Sequence, residues 1–222
     1  MAASMDTSAQ AAPYRIDMAR SEIAVKVFKA GAASAFAHDH VICAPRWQAT
    51  LDLSPEPVAL SAEVVVDVRA LEVDEPELRA RHGLDGTLSD GDRAQVRENM
   101  LGADQLDAAS HPTIRFAATR VDRDGDGFRV TGELALHGVT RRVAVPLAVV
   151  RDDESYVARG SLRVQQSAFG IRPYSAFLGA VRTQDAVEIV FTLVAVPATK
   201  FGGEAGGFAP AGQALGIPQS RL

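Results

Sequence analysis

Three groups of residues have the types and spacing to do chemistry. The first is Asp122-Arg123-Asp124-Gly125-Asp126-Gly127, followed at the twelfth position by Glu133. Oxygen donors at alternate positions, a glycine at the sixth and a carboxylate at the twelfth fit the loop that wraps a calcium ion. Such a loop needs a helix on each side, whereas both flanks here alternate like strands. Arg129 also stands where the loop packs an apolar side chain. A β-hairpin turn rich in Asp and Gly explains the same letters, so no calcium site is expected.

The second group is Ala37-His38-Asp39-His40. On a strand, His38 and His40 point to one face, about 7 Å apart at their Cα atoms for a rise of about 3.3 Å per residue. Two imidazoles so placed can share a zinc or copper ion, or they can line a pocket mouth and satisfy backbone groups. His82, His111 and His137 show no matching spacing: His111 precedes Pro112 at a strand start and His137 sits in a tight turn. No third or fourth ligand can be named.

The third is Cys43, the only cysteine, which excludes an intramolecular disulfide. Within Val41-Ile42-Cys43-Ala44 it reads as a small buried strand residue rather than a reactive thiol. Gly-x-Ser-x-Gly and Cys-x-x-Cys are missing, and Gly83-Leu84-Asp85-Gly86 leads into no phosphate-binding turn. Asp74, Glu75 and Glu77 beside Arg79 and Arg81 read as a solvated loop or helix start, not an acid/base pair. No catalytic residue, metal or cofactor is assigned, and the protein is not expected to be an enzyme.

The elements that position these residues are mostly strands. Val64–Val68, Thr113–Phe116, Phe128–Leu136 and Val187–Leu193 alternate apolar with polar or small residues and are rich in β-branched side chains. Further strands are expected over 14–19, 22–30, 40–53, 141–151 and 156–166. Short polar connections at 124–127, 137–140 and 152–155 make sequential antiparallel neighbours. The stretch 72–112 is the exception, an excursion with one helix that Ser89 or Asp90 caps and Gly102 ends. One domain is expected over 14–197, after a disordered lead-in over 1–13 and before a flexible Gly/Ala/Pro tail over 198–222.

Twenty-three basic against 28 acidic residues give a net charge of −5, which argues against a nucleic-acid partner. No apolar run is long enough to span a bilayer, and the first residues lack the basic start and apolar core of a signal peptide. The chain as written is expected in the cytoplasm, or in the periplasm if a leader precedes it. A homodimer is left open.

Eight or nine antiparallel strands must bury a face, and closing the sheet removes its edges and encloses a core or a cavity. In 143–150 and 187–196 the polar face is thin, as suits a wall that is apolar inside and partly covered outside by the helix. Bulky rings are few beside Val, Ala and Leu, so a closed sheet of this size leaves space that an apolar ligand can fill. A fully packed interaction domain fits the same periodicity. Strand parity assigns Val25, Val27, Trp47, Ile114, Phe116, Leu134 and Phe191 to the wall, together with Phe36. His38 and His40 are assigned to a polar rim able to bond the polar head of a ligand.

The order of motifs resembles the YceI-like family. It runs through Tyr14-Arg15-Ile16-Asp17, Ser21–Val27, Leu51–Pro55, Glu98–Leu101, His111-Pro112-Thr113-Ile114-Arg115-Phe116, Gly132–Thr140 and Phe169-Gly170-Ile171. The resemblance covers nearly all of 14–197, and 111–116 and Leu136-His137-Gly138-Val139-Thr140 are its most specific parts. It implies an all-β, lipocalin-like closed antiparallel barrel of about eight strands, with a cavity holding a polyisoprenoid such as an isoprenoid quinone. The ligand expected is therefore a lipid-like small molecule, carried or sequestered. Gln166 and Ala168 depart from the Arg and Asp that the family often carries before Phe-Gly.

Overall fold

Alternation of apolar and polar residues becomes twelve strands among the described residues of a computed structural model, which describes residues 14–54 and 59–198. The expected lead-in and nearly all of the expected tail lie outside the described residues. In chain order the strands are β1 (Tyr14–Ile16), β2 (Glu22–Ala30), β3 (His40–Cys43), β4 (Trp47–Ser54), β5 (Ala59–Asp67) and β6 (Glu72–Val73). There follow β7 (Thr113–Asp124), β8 (Gly127–Leu136), β9 (Val139–Asp152), β10 (Ser155–Gln165), β11 (Ser175–Ala176) and β12 (Val181–Pro197). Two helices, α1 (Pro76–Arg81) and α2 (Asp90–Leu101), interrupt them.

All strands join one antiparallel sheet in the order β4-β5-β7-β8-β9-β10-β12-β2-β3-β6, with β1 and β11 also paired to β12. The run from β7 to β10 is a meander whose turns need backbone with positive φ. Gly125 supplies it between β7 and β8, and His137 (φ 51°) with Gly138 (φ 73°) between β8 and β9.

The sheet curls into a half-barrel and does not close, which corrects the expected closed barrel of about eight strands. The reason lies at Ala44-Pro45-Arg46, between β3 and β4. What reads in sequence as one strand over 40–53 is bent here, because proline carries no N–H for a ladder. β4 pairs with β5 instead of continuing beside β2, and β6 adds only two residues to β3. Across this gap sits an apolar plug of Ala44, Trp47, Val66, Val68, Leu71 and Ala108, with Met100, Leu101 and Leu106 packed against it.

The excursion holds two helices, not one. Pro76 occupies the first turn of α1, where its missing N–H costs nothing. Leu78 of α1 covers the outer face of the sheet over Ala24 and Val41, both fully buried. The expected helix is α2, whose Asp92 N–H is capped by Ser89 Oγ at 3.1 Å and which ends at Gly102. It lies along the interior rather than over the outer wall. Arg97 Nε donates to Leu71 O at 2.9 Å, and Arg93 pairs with Glu75, which ties α2 to the segment around β6.

Candidate functional site

The concave side of the sheet holds a cavity of about 1090 Å³, just above the range of roughly 300–1,000 Å³ usual for small-molecule sites. Val25, Val27, Ile114, Phe116, Leu134, Leu162, Ile189 and Phe191 lie on its wall. Several of these inward residues are only half-buried, because no protein atoms fill the space they face. The inside is a hollow bordered by a packed cluster of Leu134, Val164, Phe169, Ile171 and Val187.

Two mid-strand glycines help to keep it open. A Cβ on Gly132 would lie 2.5 Å from Phe116 Cζ, and one on Gly160 would lie 2.6 Å from Phe191 Cζ. Each ring therefore lies back over a neighbouring strand where no side chain stands, the arrangement by which aromatics cover glycine in sheets. These two rings thus take up little of the interior.

Five lining residues are exposed to solvent: His38, Thr87, Asp92, Gln95 and Tyr174. They come from the approach to β3, the start of α2 and the segment before β11, so they mark one opening. The same end carries Gln166, whose Nε2 donates to Gln184 O at 2.9 Å. Gln105 is also there, and its Nε2 donates to Arg172 O at 2.9 Å. Thr183 lines the cavity beside them, and its Oγ1 is buried with no hydrogen-bond partner among the described residues.

His40 stands in this rim, held from behind. Its Nδ1 lies 2.5 Å from Asp74 Oδ2. Asp74 is fully buried, adopts φ 53°, and also accepts from the Val41 N–H at 3.0 Å and from Arg79 Nη1 at 2.7 Å. Arg79, 2% exposed, also donates to the carbonyls of Asp39, Asp85 and Gly86. Burial alone would raise the Asp74 pKa, but the hydrogen bonds from His40, the Val41 N–H and Arg79 outweigh it and hold the carboxyl below its ordinary value. The carboxylate fixes the imidazole, and the guanidinium fixes the carboxylate.

This network corrects the reading of Asp74 and Arg79 as solvated. Two wall assignments are corrected as well. Phe36 lies outside the cavity on the 3-10 turn Ser34–Phe36 and is 89% exposed, because Gly31 (φ 98°) turns the chain outward before it. Trp47 faces inward but is buried within the plug, whose Ala44, Val66 and Leu71 line the cavity while the indole itself does not. Val25, Val27, His38, His40, Ile114, Phe116, Leu134 and Phe191 all line the cavity. Thr183 and Asp74 were missed: neither belongs to a motif, and only strand pairing brings them to the rim.

The other chemical candidates resolve into structure. Asp124 and Gly127 pair across the β7–β8 turn, with Asp124 bound to Arg129 and Asp122 to Arg120, as a hairpin requires. Among the described residues no three His, Cys, Asp or Glu side chains converge as metal ligands do. His38 precedes β3 instead of sharing a strand face with His40. The Cys43 thiol is pushed up to about 11 by burial and then by Glu72, Glu75 and Glu22, which keeps it protonated and unreactive near neutral pH.

A family model described as a YceI-like domain matches residues 14–195. The chain belongs to the YceI-like family. Protein YceI of Escherichia coli O17:K52:H18 is 34% identical over 64 residues, which are 29% of this chain and 34% of that protein. A UPF0312 protein of Azotobacter vinelandii is 32% identical over 90 residues, 37% of this chain and 47% of that protein. The matched segments thus span a third to a half of these relatives. Among solved structures, BcnA of Burkholderia cenocepacia is similar in fold, with a TM-score of 0.61 at 21% identity, covering 81% of this chain and 98% of BcnA. Its likeness concerns the curled antiparallel sheet. No helix among the described residues of this YceI-like protein is long and apolar enough to cross a membrane.

Proposed function

We propose that this YceI-like protein holds a long-chain isoprenoid or similar lipid in its cavity and acts as a carrier or sequestering protein. The observation that carries this reading is the hollow itself, about 1090 Å³ with aliphatic and aromatic walls and an opening where His38, Thr87 and Tyr174 are exposed. At about 30 Å³ per water-sized group, it has room for on the order of 35 carbon atoms. Burial of an apolar chain supplies roughly 25 cal/mol per Å² before the cost of ordering it. Membership of a family known for a polyisoprenoid-binding fold supports the same reading.

The chain's polar end belongs at the rim. With Nδ1 of His40 engaged by Asp74, Nε2 is the nitrogen left to meet a hydroxyl or carbonyl head. The unpartnered Thr183 Oγ1 is a second group that a head would satisfy, and buried polar atoms without partners are few in folded proteins. His38 lies at the solvent side of the same opening.

Mass spectrometry of an organic extract of protein purified from its native source tests the reading. A polyprenyl-type lipid near one per chain is expected, together with saturable uptake of added isoprenoids reported by Phe116→Trp fluorescence. Protein that arrives empty and takes up no isoprenoid of any length would overturn it.

A further inference from the structure

Two loops beside the opening expose what a water-soluble surface ordinarily hides. The turn Ser34–Phe36 follows β2, and Phe177–Gly179 joins β11 to β12, where Ser175 pairs with Arg182. The loops abut: Ala33 N–H donates to Ala180 O at 2.9 Å. Gly31 makes this approach possible, since a Cβ there would sit 2.4 Å from that oxygen. At their tips Phe36 is 89% exposed, Phe177 81% and Leu178 110%, more than any other large apolar side chain among the described residues. Single exposed apolar residues are ordinary, but three on adjoining tips form a patch. Phe177 and Leu178 hold φ of 51° and 55°, a region bulky residues rarely adopt, so the backbone points them outward instead of letting them fold back.

The patch has a position and a charge. His38, two residues after Phe36, and Tyr174, three before Phe177, both edge the opening of the cavity. Arg172 and Arg182 are exposed next to the second tip, and neither forms an ion pair among the described residues. Lys29 Nζ, at the end of β2, rests on Ala37 O and not on a carboxylate. Asp39 and Asp185 on this side keep their charge but are held by uncharged donors, the Lys29 N–H and the N–H and hydroxyl of Ser167, and neither pairs with Arg172 or Arg182. Asp92, across the opening, accepts from Ser89 Oγ. The chain as a whole carries −5 and is repelled by an anionic surface, so a local cluster of cations decides which face can approach one.

We propose that Phe36, Phe177 and Leu178 insert into the interface of an anionic lipid membrane, with Arg172 and Arg182 on its headgroups. The opening then rests on the bilayer, and an apolar ligand passes between membrane and cavity without crossing water. This rests on the lipid-carrier reading, since only a ligand that resides in the bilayer gives the arrangement a use. Apolar tips flanked by cations are the chemistry of interfacial docking, whereas a protein partner would need a groove or a flat face that these tips do not form.

The test is flotation of the full chain with phosphatidylcholine vesicles, with and without 30% phosphatidylglycerol. Uptake of an isoprenoid is measured in parallel from those vesicles and from detergent dispersion. Wild type is expected to float with the anionic vesicles and to be released by salt. The Phe36→Ser/Phe177→Asn/Leu178→Asn variant should lose at least tenfold in vesicle binding and in uptake from vesicles. Its uptake from detergent should be unchanged and its melting temperature no lower, since Asn tolerates positive φ. Arg172→Ala and Arg182→Ala should each cost about fivefold on anionic vesicles and nothing on neutral ones. Wild type that never floats, or a triple variant that floats and loads like wild type, would overturn docking while uptake from detergent still upheld the carrier. A wild-type dimer that the triple variant converts to monomer, with no vesicle binding by either, would assign the patch to a second copy of the chain. If no isoprenoid enters from detergent, the carrier reading itself fails.

Discussion

Replacing Arg79 by Met tests whether the buried carboxylate behind His40 depends on its cation. Asp74 is fully buried and Arg79 is 2% exposed, with 2.7 Å between Oδ1 and Nη1. Removing one partner of such a pair leaves an uncompensated charge, at a cost of about 3–5 kcal/mol. For a chain of this size that corresponds to a melting temperature lower by about 6–20 °C. The sign with pH follows from the direction of the Asp74 shift. Its folded pKa is depressed, so its stabilising effect is fully present above about pH 4, the ordinary carboxylate value. It is lost as pH falls through the folded value. In Arg79→Met, burial gains weight against the remaining bonds from His40 and the Val41 N–H, the folded pKa rises, and acid relieves the buried charge.

The gap between wild type and variant should therefore narrow between pH 7 and pH 4, while both unfold with similar urea slopes. Circular dichroism during urea unfolding at the two pH values measures it. Adding Asp74→Asn to Arg79→Met should cost less than the sum of the two single changes, with a coupling of about 1–3 kcal/mol. A single-variant cost under about 1 kcal/mol, or a gap independent of pH, would refute the reasoning.

Gly160→Ala places a Cβ 2.6 Å from Phe191 Cζ and 2.7 Å from Pro146 O. It should cost about 1–3 kcal/mol and push the ring into the hollow, lowering isoprenoid capacity in a titration followed by fluorescence. Trp47→Ala should cost more, about 3–5 kcal/mol, yet lower lipid affinity per folded molecule less than Gly160→Ala does, because the indole itself does not line the hollow. Cys43, with its thiol at about 11, should react with iodoacetamide in the folded protein at pH 8 at least ~100-fold more slowly than a free thiol, and tenfold faster per pH unit above that. Equal rates in folded and urea-unfolded protein at pH 8 would contradict the burial argument.

Long strands with clear alternation were readable because their pattern repeats several times. Phe128–Leu136 and Val187–Leu193 lie within β8 and β12 as expected. The bend after Cys43 was signalled by Pro45, but one proline between apolar runs competes with an otherwise continuous pattern over 40–53. α1 spans only six residues, too few for helical periodicity to show, and its start was marked by Pro76 alone. Asp74 and Arg79 carry letters indistinguishable from surface charge. Their burial depends on Ile42 pairing with Val73, a contact between segments thirty-one residues apart. Phe36 failed for the opposite reason: a large ring on an apolar stretch reads as interior unless the turn at Gly31 is known.

Family likeness was legible for a physical reason that also limits it. The least replaceable residues of the most specific motifs converge on one joint of the fold, while Ile114, Phe116 and Leu136 of the same motifs face the hollow. His111 and His137 meet edge to face, with ring centroids 4.8 Å apart, and a Cβ on Gly138 would lie 2.8 Å from His111 Cε1. His137 Nδ1 lies 3.1 Å from the carbonyl oxygen of Phe169, itself buried, and Gly170 takes φ 76° to end that turn. Each of these positions tolerates few residues, so the letters are distinctive. The wall asks only for apolar side chains of fitting size, and Val, Ile and Leu exchange there at small cost. A sequence therefore announces the joint that sets the fold far more loudly than the surface that would select a ligand. Under the proposed carrier reading, discrimination among lipids would rest on polar groups at the rim such as His38, His40 and Thr183, where a single change would alter which head can be satisfied.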